Sequence, residues 1–314
     1  VVSPCRDEAA FLGRTLASVS AQTLRPYAWV IVDDGSSDAT PTLLREHASR
    51  HPWVRVVRRD DRGARRVGPG VVDAFYAGYA LVAGEAWDYV CKLDMDLDLP
   101  PTYFESLIRR MEEDPRLGTV SGMPYASDRD GALVPEDCSP EMSVGMAKLY
   151  RRRCFEQVGG LVRGVMWDAI DCHRARLLGW KARAFDDPDT RFRHLRPMGS
   201  SERGILTGRA RHGSGQRFMG TGLVYATASA VRRLAGRPLV LGGVAMWWGY
   251  VRSALRGDPR VEDPEFRSFL RSYQRRMLLR GKRRATTATE EERAAAWDPA
   301  RVTKWERPEA SAPG

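Results

Sequence analysis

The stretch Trp29-Val-Ile-Val-Asp-Asp-Gly-Ser-Ser-Asp-Ala-Thr40, WVIVDDGSSDAT, carries the reading of the fold. Its first four residues are apolar and mostly β-branched, without alternation, the pattern of a strand buried on both faces. The strand ends in Asp33-Asp34-Gly35, and helix-period residues then run to Arg50, with Asp38 the expected N-cap. A doubly buried strand that feeds straight into a helix is one unit of a parallel sheet covered by helices. As bare turn chemistry, Asp-Gly needs no ligand. At a strand end, however, Asp34 can also accept from ribose hydroxyls or a base N–H, and Gly35 lets the backbone approach closely.

The same alternation continues on either side. VVSPC, WVRVV, WDYVCKL and LGTVSG read as strands, and Ala9–Gln22, Val71–Ala83 and Tyr103–Glu113 as helices. Residues 121–145 read as loop, with SDRDG and PEDCSP as turn clusters. Met166–Gly179 reads as a helix and WKARAF as a strand. From about Pro188 the chain turns irregular and basic. Residues 256–284 read as helix and the tail from Ala285 as largely disordered. In such sheets ligands bind beyond the carboxyl ends of the strands, so the charged residues there are the ones to weigh.

The second acidic strand end is YVCKLDMDLDLPP, Tyr89–Pro101, with Asp94, Asp96 and Asp98 at alternate positions. Three like charges so close repel unless solvent, a cation or a basic group offsets them. Asp94, Asp96, Asp98 and Glu105 fit an EF-hand spacing, but Leu99 stands where that loop requires glycine and two prolines follow. Asp94 and Asp96 are better placed to hold Mg²⁺ or Mn²⁺ together with ligand phosphates. The third acidic element is VMWDAIDCHRARLLGW. Asp168 and Asp171 share a helix face there, and either could serve as a general base or simply as first-turn acids favoured by the helix dipole. His194 and His212 could be metal ligands or diphosphate donors, or structural.

The composition bounds the rest. The 314 residues are 43% hydrophobic and carry a net charge of +10, with a pI near 9.7. This suits phosphorylated metabolites or anionic lipid; no basic run with interleaved aromatics points to nucleic acid. Five cysteines without a C-x-x-C pair argue for a reducing compartment and against zinc or a disulfide framework. The expected location is cytoplasmic, since no signal peptide is read. The start at Val1, inside a strand, implies that the extreme N-terminus is missing. There is no G-x-G-x-x-G or Walker A lysine motif. No segment reaches the roughly 20 apolar residues of a membrane span. The uncharged runs Phe218–Val231 and Pro238–Val251 read either as buried helices or as helices in the membrane interface, with Met246, Trp247, Trp248 and Tyr250 flanked by Arg237 and Arg252.

A strand-end Asp-Asp-Gly-Ser, an Asp-x-Asp on a later strand and an acidic helix start occur in that order. The order resembles the family 2 glycosyltransferases of GT-A fold, over residues 1–195. The resemblance implies an α/β, Rossmann-like, mostly parallel sheet flanked by helices in residues 1–200. Beyond the resemblance, the residues themselves read as a helical, basic extension over 201–284, buried or membrane-interfacial as above, and a largely disordered tail over 285–314. It further implies inverting sugar transfer from a UDP- or GDP-type nucleoside diphosphate sugar to an acceptor hydroxyl, with a lipid-linked or glycan acceptor in envelope or exopolysaccharide synthesis.

By the same resemblance Asp34 holds the uracil or ribose, with Pro4, Glu8 and Gly35 lining the pocket. Asp96 ligates Mg²⁺ or Mn²⁺, Asp94 contacts ribose or metal-bound water, and His194 meets the metal or diphosphate. Asp168 is the preferred base and Asp171 the alternative. The glutamate usual before the base is Trp167 here, and the Q-x-x-R-W motif of processive synthases is absent. Arg62, Arg65 and Arg66 could offset diphosphate charge, or form an exposed basic loop. The competing readings are a sugar-phosphate nucleotidyltransferase, for which SPCRDEA lacks the glycine-rich basic loop, and a non-catalytic membrane-surface scaffold.

Overall fold

The computed structural model describes residues 1–61, 63, 68–128, 130–196, 204–235, 239–306 and 308. Arg62, Arg65, Arg66 and Arg237 lie outside the described residues. The chain begins β1 (Val2–Cys5), α1 (Ala9–Ser20), β2 (Trp29–Asp33), α2 (Thr40–Arg50), β3 (Val54–Arg58), α3 (Pro69–Tyr79) and β4 (Tyr89–Leu93). A short β5 (Leu97–Asp98), α4 (Tyr103–Glu113) and β6 (Leu117–Gly122) follow, then β7 (Pro124–Ser127), β8 (Leu133–Pro135), β9 (Ala147–Arg151) and α5 (Arg152–Gln157). Next come α6 (Trp167–Leu177), β10 (Lys181–Phe185), β11 (Phe192–His194), α7 (Ile205–Met219) and α8 (Leu223–Leu234). Last are α9 (Leu241–Leu255), α10 (Pro264–Arg280) and α11 (Lys282–Glu292).

Seven strands form the main sheet in the order β10-β6-β9-β4-β1-β2-β3. The expected mostly parallel sheet is present: β1 pairs parallel with β2 and β4, β2 with β3, and β6 with β10. WVIVD is buried at every position, as its unbroken apolar run requires. Leu12, Leu16 and Val19 of α1 pack with Leu44 of α2 and Leu107 of α4 on one face of the sheet. Phe75, Tyr76 and Tyr79 of α3 pack with Phe155 of α5 on the other. Each such buried side chain contributes about 2 kcal/mol against exposure.

The chain runs from β1 to one side through β2 and β3, then returns to place β4 on the other side of β1. Between the carboxyl ends of β1 and β4 lies the switch point at which open α/β sheets bind ligands.

Several expectations are corrected. Residues 121–145, read as loop, hold the antiparallel pair β7–β8, because Asp128 Oδ1 accepts from Asp130 and Ala132 N–H and turns SDRDG into a hairpin connection. β9 was not anticipated, and it runs antiparallel between β4 and β6. Asp38 does not cap α2 from the N-cap position, which is Ala39; its Oδ1 accepts from Thr40 N–H instead. The chain beyond Ala285 continues as α11 to Glu292, and Trp305 is buried with its indole N–H donating to Asp263 Oδ2 at 2.7 Å.

Candidate active site

The end of β2 is held rigidly. Asp33 Oδ1 accepts from Ser36 N–H at 2.9 Å and so closes the turn. Gly35 has φ +76°, and a Cβ on it would lie 2.5 Å from the Cα of Asp61. Asp34 donates its N–H to Cys5 O at 2.8 Å. Its carboxylate accepts from Arg59 at 3.1 Å, and Arg6 binds its carbonyl at 2.7 Å. Pro4 lies on the adjoining β1, opposite Val32. Glu8 is buried just before α1, with Thr40 Oγ1 accepting from its N–H at 2.9 Å.

Beyond β4 the three aspartates part company. Asp94 Oδ1 accepts from the buried ammonium of Lys92 at 2.5 Å. Burial raises the Asp94 carboxyl above the usual carboxylate range; Lys92 pulls against this and the charge of Asp96 adds to it. Asp96 Oδ2 stands 3.6 Å from His194 Nε2 and 3.4 Å from Arg196 Nε. Burial works to raise Asp96 too, but His194 and Arg196 hold it below its ordinary value. Asp98 lies 3.6 Å from the exposed Arg14.

His194 arrives through β11, which pairs antiparallel with β5. Its Nδ1 lies 2.9 Å from Glu136 Oε2. Burial disfavours its charge, yet the carboxylates of Asp96 and Glu136 prevail and raise its pKa to about 9. Arg196 then bridges outward, pairing with Glu8 and lying 5.0 Å above the Phe11 ring.

Asp168 and Asp171 are separated by their surroundings. Asp171 is buried, with Oδ1 2.5 Å from the Lys148 ammonium and Oδ2 accepting from the Tyr150 hydroxyl. Burial raises the Asp171 carboxyl while Lys148 opposes it. Burial likewise works against the Lys148 charge, but Asp171 outweighs it and raises the Lys148 pKa. Asp168 sits half-buried in the first turn of α6, following Met166 at φ +69°. Gly145 presses against it: a Cβ there would lie 2.9 Å from both Asp168 Cβ and Oδ2. The carbonyl of Gly145 accepts from Lys92 at 3.0 Å, so this one residue joins Asp168 to the Lys92–Asp94 pair. Lys92 and Lys148 lie 5.3 and 5.8 Å from the Trp167 ring. The indole that departs from the resembled pattern therefore faces two buried ammonium groups, a cation–π arrangement.

Asp96, His194 and Glu8 are thus joined through Arg196 and Glu136, and Asp94 meets Asp168 through Lys92 and Gly145, while Asp171 is withdrawn into the core. His212 lies on α7 within reach of the Asp168 charge, and burial with Arg233 and Arg209 lowers its pKa to about 4. The sequence reading missed Glu136, Arg196, Lys92 and Gly145. Among the described residues no three His, Cys, Asp or Glu side chains converge to hold a metal ion. Mg²⁺ and Mn²⁺ need only one or two protein carboxylates when phosphate oxygens complete the shell, and Asp96 with His194 or Asp94 fits that smaller requirement.

Comparison with known proteins bears on the family and the fold. The sequence model described as Glycosyl transferase family 2 matches residues 1–167. O-antigen biosynthesis protein RfbC of Myxococcus xanthus is 26% identical over 279 residues, 83% of this chain and 20% of RfbC. Poly-beta-1,6-N-acetyl-D-glucosamine synthase of Staphylococcus aureus strain COL is 29% identical over 132 residues, 41% of this chain and 29% of the synthase. The chain thus spans less than a third of either curated relative. The crystal structure of GalNAc-T7 with UDP, GalNAc and Mn²⁺ shares the fold at TM-score 0.50 and 15% identity, over 81% of this chain and 56% of that one. With more than half of its length matched by the family, on a mostly parallel sheet flanked by helices, the chain belongs to glycosyl transferase family 2.

Proposed function

We propose that the protein transfers a sugar from a UDP- or GDP-type nucleoside diphosphate sugar to an acceptor hydroxyl with inversion, assisted by Mg²⁺ or Mn²⁺. The observation that carries this reading is the junction at Gly145, which brings Asp168 beside the Lys92–Asp94 pair. Asp34, with Pro4, Glu8 and Gly35, would receive the nucleoside. Asp96 would hold the cation with His194, and Asp94 would face ribose or metal-bound water. A bound divalent cation supplies charge neutralisation for the departing diphosphate.

Asp168 is the base. It would take the proton of the acceptor hydroxyl as that oxygen bonds to the anomeric carbon, while the bond from that carbon to the diphosphate oxygen breaks on the opposite face. Residues 1–200 would carry this reaction, with 201–284 as an extension. An acceptor in envelope polysaccharide or glycolipid synthesis is supported by the likeness to an O-antigen biosynthesis protein and a poly-N-acetylglucosamine synthase. The test is a panel of UDP-, GDP- and dTDP-sugars with and without Mn²⁺, followed by product analysis. Metal-dependent release of a nucleoside diphosphate supports the reading; release of pyrophosphate would assign a nucleotidyltransferase instead.

A further inference from the structure

Residues 204–256, which span α7 to α9, contain eight arginines and no aspartate or glutamate. Two glycine contacts lock α7 to α9: a Cβ on Gly213 would lie 1.8 Å from Met246 O, and one on Gly249 1.9 Å from Ala210 O. This close crossing fixes which side of α9 faces outward. Leu241, Val244, Trp248 and Leu255 recur at helical spacing on that side and are all exposed, Leu255 to 79%. Val224 and Val231, seven residues apart on α8, are exposed as well, Val224 to 76%. An amphipathic helix normally turns such a stripe inward; α9 instead buries glycines, Met246 and Tyr250 and presents the larger apolar residues to solvent.

A second feature lies beside this stripe. Arg267, Arg271 and Arg275 follow one another at four-residue spacing on α10. With Arg260, Ser268 and Ser272 they line a cleft of about 570 Å³ that contains no carboxylate. The cleft adjoins the apolar helices: Arg271 Nε donates to Gly220 O at 3.4 Å, and a Cβ on Gly222, just ahead of α8, would lie 3.8 Å from Arg271. The charges of Arg260 and Arg271 also act on Arg217 and on Tyr250 of α9. Asp258 offsets part of this charge at Arg217, but the four arginines that line the cleft have no carboxylate among its lining residues, and phosphate oxygens are the ligands that suit guanidinium groups so gathered.

We infer that the apolar stripe of α8 and α9 and the arginine cleft of α10 form one docking face for an anionic phospholipid bilayer. The stripe enters the headgroup and acyl boundary, with Trp248 at the depth that aromatic side chains favour, and the cleft takes lipid phosphates. Charge complementarity selects this occupant over a second copy of the chain, whose matching face is equally basic.

The test is sedimentation of the full chain with phosphatidylcholine vesicles, with and without phosphatidylglycerol, alongside tryptophan fluorescence. Binding should require phosphatidylglycerol, shift the emission to the blue and weaken with salt. The double substitution Arg267→Gln and Arg271→Gln should weaken vesicle binding by roughly 25-fold, at about fivefold per charge. Leu241→Ser with Trp248→Ser should remove the blue shift, with circular dichroism as a check on folding. Nucleotide affinity with Mn²⁺ should be the same in all variants, so failure of the sugar-transfer reading and failure of this one are separately visible. Equal binding to neutral vesicles, no binding to either, a dimer dispersed by the Trp248 change, or pyrophosphate binding in the cleft that lipid does not displace would each overturn it.

Discussion

The carboxylate of Asp171 meets the ammonium of Lys148 across 2.5 Å with neither group open to solvent. One turn earlier on the same helix, Asp168 remains half-buried beside Gly145. Two carboxylates of one type thus lie three residues apart in different surroundings. Asp168→Asn is expected to lower turnover about a hundred- to ten-thousand-fold, the usual worth of a general base, while donor affinity by calorimetry stays unchanged. Asp171→Asn leaves a buried ammonium unpaired and should cost about 3 to 5 kcal/mol of stability in urea titration. Full activity in the Asp168 variant would remove it as the base.

Asp96 is expected to matter only where the cation does. In Asp96→Ala, the nucleotide affinity measured by calorimetry with Mn²⁺ should fall to the value measured in EDTA. A persistent Mn²⁺ enhancement would move the cation elsewhere.

Gly145→Ala tests the junction itself. The new methyl would press on Asp168 Cβ and Oδ2 at 2.9 Å and on Trp167 at 3.1 Å, and the neighbour that must move is the proposed base. Displacements near 1 Å at a reacting group cost about a hundredfold in rate. The expected result is a large loss in kcat with donor affinity preserved; an unchanged kcat would show that Asp168 yields without consequence.

His47 offers a pH-dependent prediction away from the site. Burial, with His51 and Arg50 nearby, lowers its pKa to about 4 from an ordinary 6.5. Its Nε2 lies 3.4 Å from Ser20 Oγ, and its ring lies edge-on to Trp29 at 6.2 Å. The folded value lies below the unfolded one, so the unfolded chain takes up the proton first as pH falls. Its stabilising contribution is therefore intact above pH 6.5 and is lost between 6.5 and 4. His47→Gln should lower the pH sensitivity of unfolding across that window by about 2 kcal/mol, the roughly 3 kcal/mol of the full shift being reduced by solvent screening of a group only partly withdrawn from water, read from urea titrations at a series of pH values. Parallel curves for the two proteins would contradict this.

The sheet and the strand-end acids were legible because they rest on local rules. An unbroken apolar run marks a doubly buried strand, and Asp-Asp-Gly marks its exit. β9 was not legible because Lys148 reads as a polar, surface-type residue until its partner Asp171, 23 positions later, is known. Glu136 looked like part of a turn cluster, and its link to His194 spans 58 residues. The Arg196–Glu8 pair spans 188. Pairings of that range leave no periodic trace in one sequence. Trp305 is likewise buried by partners on α10, far from the polar tail in which it is written.

The place of β9 bears on how the chain acquires its shape during synthesis. β1, β2, β3 and β4 can pair in the order in which they leave the ribosome. β6 cannot: its neighbours in the sheet are β9 and β10, both made later. Until Arg151 has emerged, LGTVSG, which the finished fold buries at every position, lacks its β9 and β10 partners, and such unpaired edges invite pairing with other chains. The antiparallel strand that seats Lys148 under α6 is also the clasp that ends this exposure, so weakening β9 should reduce the yield of native protein more than its equilibrium stability alone would suggest.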